Sequence, residues 1–271
     1  MEIQLFPAKI SIMTFSMSKW IRQHHASPEI RSFWLRYYLD LQFRSIVAAL
    51  KESIEGLIGE SGAKKSFSER PLSVLDWGSG NAPYRKIFPG YWDWKSLDPH
   101  LPADFKSDKE MPNGAMFDLI LCIEVLEHIQ NPGQEVLAPL HRCLKQEGEL
   151  WLSVPYSVRL HPCPEDWNRW TPRSLRALLD QHNFEILEFS FRGPFPLCLF
   201  AKFNWLIYFL ATKQIWSWPL LVILLPWAVL QTLAASALLP MLSSDQNLSA
   251  DEAEEGDPLG FFVRARPRAI L

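Results

Sequence analysis

The run Val74-Leu75-Asp76-Trp77-Gly78-Ser79-Gly80 constrains this chain more than any other stretch. An apolar segment ends in a carboxylate and is followed by glycines two apart, the pattern of a strand that turns sharply into a loop able to touch a ligand. Roughly twenty residues on, Trp94-Lys95-Ser96-Leu97-Asp98 closes a second β-leaning run with another carboxylate. A carboxylate at the edge of an open α/β sheet accepts hydrogen bonds from the two hydroxyls of a ribose. The third glycine of a dinucleotide fingerprint would fall at Pro83, which speaks against a nicotinamide site. Ala82 stands where another common nucleoside-binding pattern carries its third glycine.

Around this motif the chain alternates. Ser73 to Asp76, Trp94 to Asp98, Phe117 to Cys122 and Glu149 to Val154 read as strands, with a helical stretch from Gly133 to Leu144 between the later pair. That order predicts a parallel sheet covered by helices. Thr171 followed by Pro172 opens a helix running to His182, Phe184 to Phe191 alternates like a strand, and Leu259 to Arg266 makes a last one. Upstream, apolar residues from Pro28 to Ile58 recur at helical spacing, as expected of an amphipathic helix packed on the following domain. Its Arg31, Arg36 and Arg44 are alternatively placed to meet lipid headgroups. Gly59 to Arg70 is polar and reads as a linker.

The segment Phe117-Asp118-Leu119-Ile120-Leu121-Cys122-Ile123-Glu124-Val125-Leu126-Glu127-His128 completes the set. With the glycine loop, Asp98 and Lys145-Gln146-Glu147-Gly148-Glu149-Leu150, it resembles the class I S-adenosylmethionine-dependent methyltransferases, especially the type 11 branch and its relatives that O-methylate quinone precursors. The resemblance covers about Ser73 to Phe191 and resumes at Leu259 to Arg266. It implies a doubly wound, Rossmann-like α/β fold with a seven-stranded, mostly parallel sheet whose last strand is antiparallel. It implies S-adenosylmethionine as cofactor, its methionine part held by Asp76, Gly78 and Gly80, its ribose by Asp98 and its adenine amino group by Asp108, with Glu124 also at the cofactor.

Methyl transfer is an in-line displacement, so the protein has to align the acceptor and exclude water. His128 follows a strand end and has the titration range of a general base for a hydroxyl acceptor, or else orients its loop. His161, Arg169 and Trp170 lie in a Pro-interrupted stretch after the fifth strand, where these enzymes build the acceptor pocket. Arg169 suits a phosphate or carboxylate, the alternative being an ordinary surface loop pinned by Trp167 and Trp170. No metal is expected: four cysteines without a CxxC pair form no zinc knuckle, and His161 with Cys163 is too sparse. A net charge of -3 gives no general attraction to nucleic acid. Met1 to Met17 lacks the pattern of a signal peptide.

One long segment is nearly uncharged. From Leu197 to Leu242 the only charges are Lys202 and Lys213, and Trp205, Tyr208, Trp216, Trp218 and Trp227 supply rings suited to the headgroup level. Strands on either side of it belong to one sheet if the methyltransferase resemblance holds, so the chain must dip into a membrane and return. Pro219, Pro226 and Pro240 interrupt it, which favours monotopic attachment at a cytoplasmic face over two full spans; a buried helical subdomain or a dimer interface is the alternative. The expected organisation is therefore a helical extension and linker at 1–70, a catalytic core at 71–196, a membrane-associating insertion at 197–242, an acidic loop at 243–258, and a last strand with tail at 259–271. The function this implies is methylation, at oxygen, of a lipid-like or lipid-linked small molecule. A non-catalytic membrane adaptor that keeps the nucleoside-binding fold is the alternative.

Overall fold

The computed structural model describes residues 43, 45–56, 71–112, 114, 116–161, 165–193, 198–203, 205–206, 226, 230 and 256–268. The expected helix between Pro28 and residue 42, the linker, Cys163, and most of the hydrophobic insertion and acidic loop lie outside them.

Six strands form one sheet: β1 (Ser73–Trp77), β2 (Asp93–Leu97), β3 (Phe117–Ile123), β4 (Leu144–Pro155), β5 (Phe184–Arg192) and β6 (Gly260–Pro267). Their order is β2-β1-β3-β4-β6-β5. The first four run parallel, and β6 is antiparallel to both neighbours, as expected of the last strand. The seven strands implied by the resemblance become six among the described residues. Beyond β2 the sheet edge carries only an isolated parallel bridge, Leu97 to Phe105, with the Phe105 amide donating to Ser96 and the Asp98 amide donating to Phe105. Pro99 and Pro102 deprive that edge of donors, so pairing stops after one bridge.

Helices cover both faces. On one face α1 (residues 45–56) buries Ile46, Val47, Leu50 and Ile54 against Val74, Leu119, Leu121, Trp151 and Phe262, so this part of the amphipathic stretch packs on the domain. On the other, a π-helical turn (Gly133–Leu137) continues into α2 (Ala138–Cys143), and α3 (Pro172–Gln181) lies nearby. Their Val136, Leu137, Leu140, Leu175 and Leu179 meet Leu75, Ile120, Cys122, Leu152 and Val263. Every residue of β3 is buried, which is why its sequence is a continuous apolar run rather than an alternation. α3 starts as read: Thr171 accepts a hydrogen bond from the Ser174 amide, and Pro172 occupies the first turn where no donor is needed.

β4 begins at Leu144, earlier than the sequence suggests. The register jumps from Leu144 opposite Phe117 to Glu149 opposite Leu119, so Lys145 to Gly148 form an irregularity inside the strand. At the far side of the sheet, Arg192 and Gly260 are paired neighbours, so the chain leaves β5 and re-enters β6 at one place. Among the described residues no helix is long and apolar enough to cross a membrane. The first helical residues after β5, 198–203, rest on the domain through buried Cys198 and Ala201 and through Lys202, which pairs with Asp257 at 3.3 Å.

Candidate active site

The chain runs from β1 outward to β2 and then back across to β3, so the strand order reverses between β1 and β3. A crevice opens at such a switch point, at the carboxyl ends of the strands. The glycine loop follows β1, Asp98 follows β2, and Glu124 to His128 follow β3. The loop holding His161 and Arg169 follows β4.

Asp76 is buried, and its Oδ2 has no hydrogen-bond partner. Burial, helped by the nearby Asp98 charge, pushes its carboxyl up to about 7. After it, Gly78 and Gly80 adopt left-handed backbone at φ of 71° and 56°. A Cβ on Gly78 would come within 2.4 Å of Val125 Cγ2. Ala82 is left-handed too, at φ 49°, so the alanine takes the conformation in which glycine is unstrained. Asp98 fastens this loop: its Oδ2 accepts from the Gly80 amide at 2.8 Å and its Oδ1 from the amides of His100 and Leu101. Three of about four lone-pair sites are thereby used, leaving room for one ribose hydroxyl rather than two. A buried carboxylate oxygen without a donor beside a backbone cradle fits the methionine end of S-adenosylmethionine, which brings an ammonium group.

Asp108 opens a short 3-10 turn (Asp108–Glu110), and its carboxylate meets Arg142 of α2 at 3.4 Å. Glu124 is left-handed at φ 55° and is locked in place. Its Oε1 accepts from Ser153 Oγ at 2.8 Å, and Arg192 Nη2 spans both its oxygens at 3.0 and 3.1 Å. Burial raises the Glu124 carboxyl, with Arg192 opposing and Glu127 adding to the rise.

A second group of polar side chains lies alongside. Glu127 is 0% exposed and neither of its oxygens has a hydrogen-bond partner. The His128 and His161 Nε2 atoms stand 3.6 and 3.7 Å from its Oε1. The Trp167 amide donates to the Glu127 carbonyl at 2.7 Å, and Asn168 Nδ2 donates to the Ile129 carbonyl at 2.8 Å. Those two bonds draw the loop after β4 onto the turn Leu126–His128, which is how residues 128 and 161 meet edge to face with ring centroids 5.1 Å apart. For the His161 imidazole, burial works against the charged form, but the adjacent Glu127 outweighs it and the pKa is raised.

The remaining two acceptor-side residues differ from expectation. Arg169 is held by Asp166 through both Nη atoms and by the Arg159 carbonyl, so its guanidinium pins the loop. Trp170 is 7% exposed and packs in the core with Leu175 and Leu179. Sequence reasoning passed over Glu127, Asp166 and Arg192. The one available signal for Glu127 was a carboxylate directly before the candidate base in an otherwise buried run.

A methyltransferase domain family matches residues 48–188. The chain belongs to this family, within the class I S-adenosylmethionine-dependent methyltransferases. No curated relative matches the sequence. Among solved structures, the chain is similar to the Burkholderia thailandensis 1,6-didemethyltoxoflavin-N1-methyltransferase, crystallised with 1,6-didemethyltoxoflavin and S-adenosylhomocysteine, at 14% identity and TM-score 0.49, covering 99% of this chain and 94% of that one. It is also similar to an O-methyltransferase from a Brevibacillus brevis trans-AT polyketide synthase multienzyme in complex with S-adenosylhomocysteine, at 12% identity and TM-score 0.47, over 100% and 82% of the two chains. A third is the Synechocystis magnesium protoporphyrin IX methyltransferase with bound S-adenosylmethionine, at 13% identity and TM-score 0.42, over 71% and 93%.

Proposed function

We propose that the protein methylates a hydroxyl group of a lipid-like or lipid-linked small molecule at a membrane surface. The observation that carries the catalytic half is the unpartnered buried carboxylate oxygen of Asp76 next to the left-handed Gly78 and Gly80. A scaffold kept only as an adaptor has no reason to hold that oxygen out of water. When bound, S-adenosylmethionine supplies an electrophilic methyl group on a sulfonium. Asp76 and the loop amides would hold the methionine end, Asp98 a ribose hydroxyl, and Glu124, fixed by Arg192 and Ser153, would contribute a further contact to the cofactor. The chain's own part would be to align the acceptor hydroxyl with that methyl group, exclude water and take up the hydroxyl proton, for which His128 is the candidate base. Glu127, His128 and His161 face the acceptor side.

His128→Ala is expected to lower turnover on a hydroxyl acceptor by about 100-fold while S-adenosylhomocysteine binding, measured by calorimetry, stays unchanged. Near-normal turnover would give His128 the loop-orienting role alone.

The membrane half rests on what surrounds the cleft. Leu160 and Trp167, in the loop that carries His161, are 70% and 50% exposed. The same loop touches the insertion, since the Arg159 guanidinium lies 4.3 Å over the Trp205 ring. Leu199 and Leu206 of the insertion are also exposed. Exposed apolar side chains on this loop and on the nearly uncharged insertion suit a lipid-like acceptor entering from the bilayer. Because residues 198–203 pack on the domain, the deletion to test is 207–242, bridged by a short polar linker. The shortened protein should lose cosedimentation with phosphatidylglycerol-containing liposomes and keep S-adenosylhomocysteine affinity. A full-length chain that fails to cosediment would overturn membrane attachment.

A further inference from the structure

We propose that Arg192 is a positioning residue for the cofactor site and sets cofactor affinity through Glu124. The inference deepens the methyltransferase reading above and rests on it for what Glu124 contacts.

The sheet order brings the two side chains together across intervening strands. Arg192 ends β5 and Glu124 follows β3, with β6 and β4 between them. Neighbouring strands lie about 4.8 Å apart, so the pair has three such spacings to close. Gly260 lets the guanidinium through. It is the β6 residue paired with Arg192, and a Cβ on it would meet both Arg192 Nη2 and the Val154 carbonyl at 2.4 Å. Past that gap Arg192 Nη2 donates to Glu124 Oε1 and Oε2 at 3.0 and 3.1 Å, while Nη1 donates to Ser45 Oγ of α1 at 3.3 Å. The Arg192 side chain is fully covered, whereas that of Glu124 keeps 21% exposure at the carboxyl end of β3.

Fastening a strand does not call for this arrangement. Taking an arginine and a carboxylate out of water is often less favourable than filling the same space with apolar side chains. Glu124 also holds φ at 55°, a conformation that strains any residue but glycine and persists only where the surroundings over-determine it. Here they do. The Glu124 amide donates to the Ser153 carbonyl at 2.9 Å, Ser153 Oγ donates to Oε1 at 2.8 Å, and Arg192 holds both carboxylate oxygens.

The left-handed turn aims the next residue at the glycine loop. Val125 Cγ2 lies 2.4 Å from where a Cβ on Gly78 would stand, so its side chain fills the space in front of that glycine. A line of packed groups thus runs from Arg192 through Glu124 and Val125 to Gly78, and α1 joins it through Ser45. Without the guanidinium, Glu124 loses its counter-charge and the turn loses a bond that opposes its strain. Both the Glu124 contact to the cofactor and the cradle for its methionine end then loosen.

The test measures S-adenosylhomocysteine affinity of the full-length protein by calorimetry, at a temperature well below the thermal midpoint of every variant. Arg192→Met and Glu124→Gln should each weaken binding by about 10- to 100-fold, the range for a lost hydrogen bond to a charged group. Because Arg192 acts through Glu124, the double variant should bind no more weakly than the weaker single one. It should nevertheless melt at a higher temperature than Arg192→Met, since no buried carboxylate is left without its partner. Affinity and stability then part company, which a strand fastener alone does not produce. Arg192→Lys keeps the charge but cannot reach Glu124 and Ser45 with two nitrogens, so it should fall in between, about 3- to 10-fold below wild type. The lysine should cost nothing further in the Glu124→Gln background, so the comparison stands even if Arg192→Met does not fold. An arginine variant that binds like wild type, or losses at the two positions that add, overturns the positioning role and spares the methyltransferase reading. Wild type that binds no S-adenosylhomocysteine sinks that reading and this role with it.

Discussion

Asp76→Asn is expected to raise the thermal midpoint of the cofactor-free protein at pH 8 by on the order of 10 °C and to leave it nearly unchanged near pH 4. The Asp76 carboxyl, ordinarily at 3.8, is pushed up to about 7 by burial first and by the Asp98 charge second. Between those values the folded protein holds a proton that the unfolded chain has released. Stability is therefore fully present below about 4 and is lost as pH rises through about 7, where the buried group must ionise. A displacement of this size corresponds to about 4 kcal/mol, which an uncharged isostere recovers. The stabilised variant should bind S-adenosylmethionine at least about 100-fold more weakly, because a buried cation on the methionine end loses its counter-charge. For the same reason wild-type affinity should fall as pH drops below 7. Calorimetry at pH 6 and 8, with melting curves for both proteins, tests each part. An asparagine variant that is less stable at pH 8, or that binds the cofactor normally, would show that Asp76 is a structural carboxylate.

Legibility in the sequence followed the range of the physical signal. β1, β3 and α3 were readable because periodicity and capping are local: an unbroken apolar run, glycines after a carboxylate, threonine before proline. The start of β4 was not, since Leu144 continues the apolar pattern of the helix before it, and only pairing with Phe117 makes it a strand. Partnerships across the chain were least visible. Glu124 reads as a cofactor residue, but what fixes it is Arg192, 68 residues away and 1% exposed. Arg169 reads as an anion grip because its partner Asp166 is indistinguishable from a solvated loop carboxylate until the loop closes. Trp170 shows the same limit from the apolar side: a tryptophan in a proline-rich loop lines a pocket or plugs a core depending on which way the loop folds. Glu127 carried no periodic mark, yet it organises both histidines.

Gly78→Val is expected to cost roughly 3 to 5 kcal/mol in stability, before any effect on the cofactor can be measured. The sequence suggests that a side chain at this position pushes into the ligand, but the structure places an earlier obstacle within the fold. A Cβ on Gly78 meets Val125 Cγ2 at 2.4 Å and Cγ1 at 3.2 Å, and Val125 is β-branched, so it has little freedom to swing aside. The backbone at φ 71° adds the left-handed penalty of about 1–2 kcal/mol that any L side chain incurs. Gly78→Ala should therefore already show most of the loss, and pairing it with Val125→Ala separates the two causes. The Val125 Cβ lies at 3.4 Å, an ordinary contact, so the double variant should recover the collision but keep the backbone penalty, relative to Val125→Ala alone. Urea unfolding of the four proteins measures both terms. Full recovery would mean that the loop has relaxed out of the left-handed region, and no recovery would mean that Val125 is not the obstacle. Since Val125 follows Glu124 at the end of β3, the contact couples the β1 loop to the acceptor-side turn, and a residue larger than glycine forces the two strand ends apart where the cleft opens.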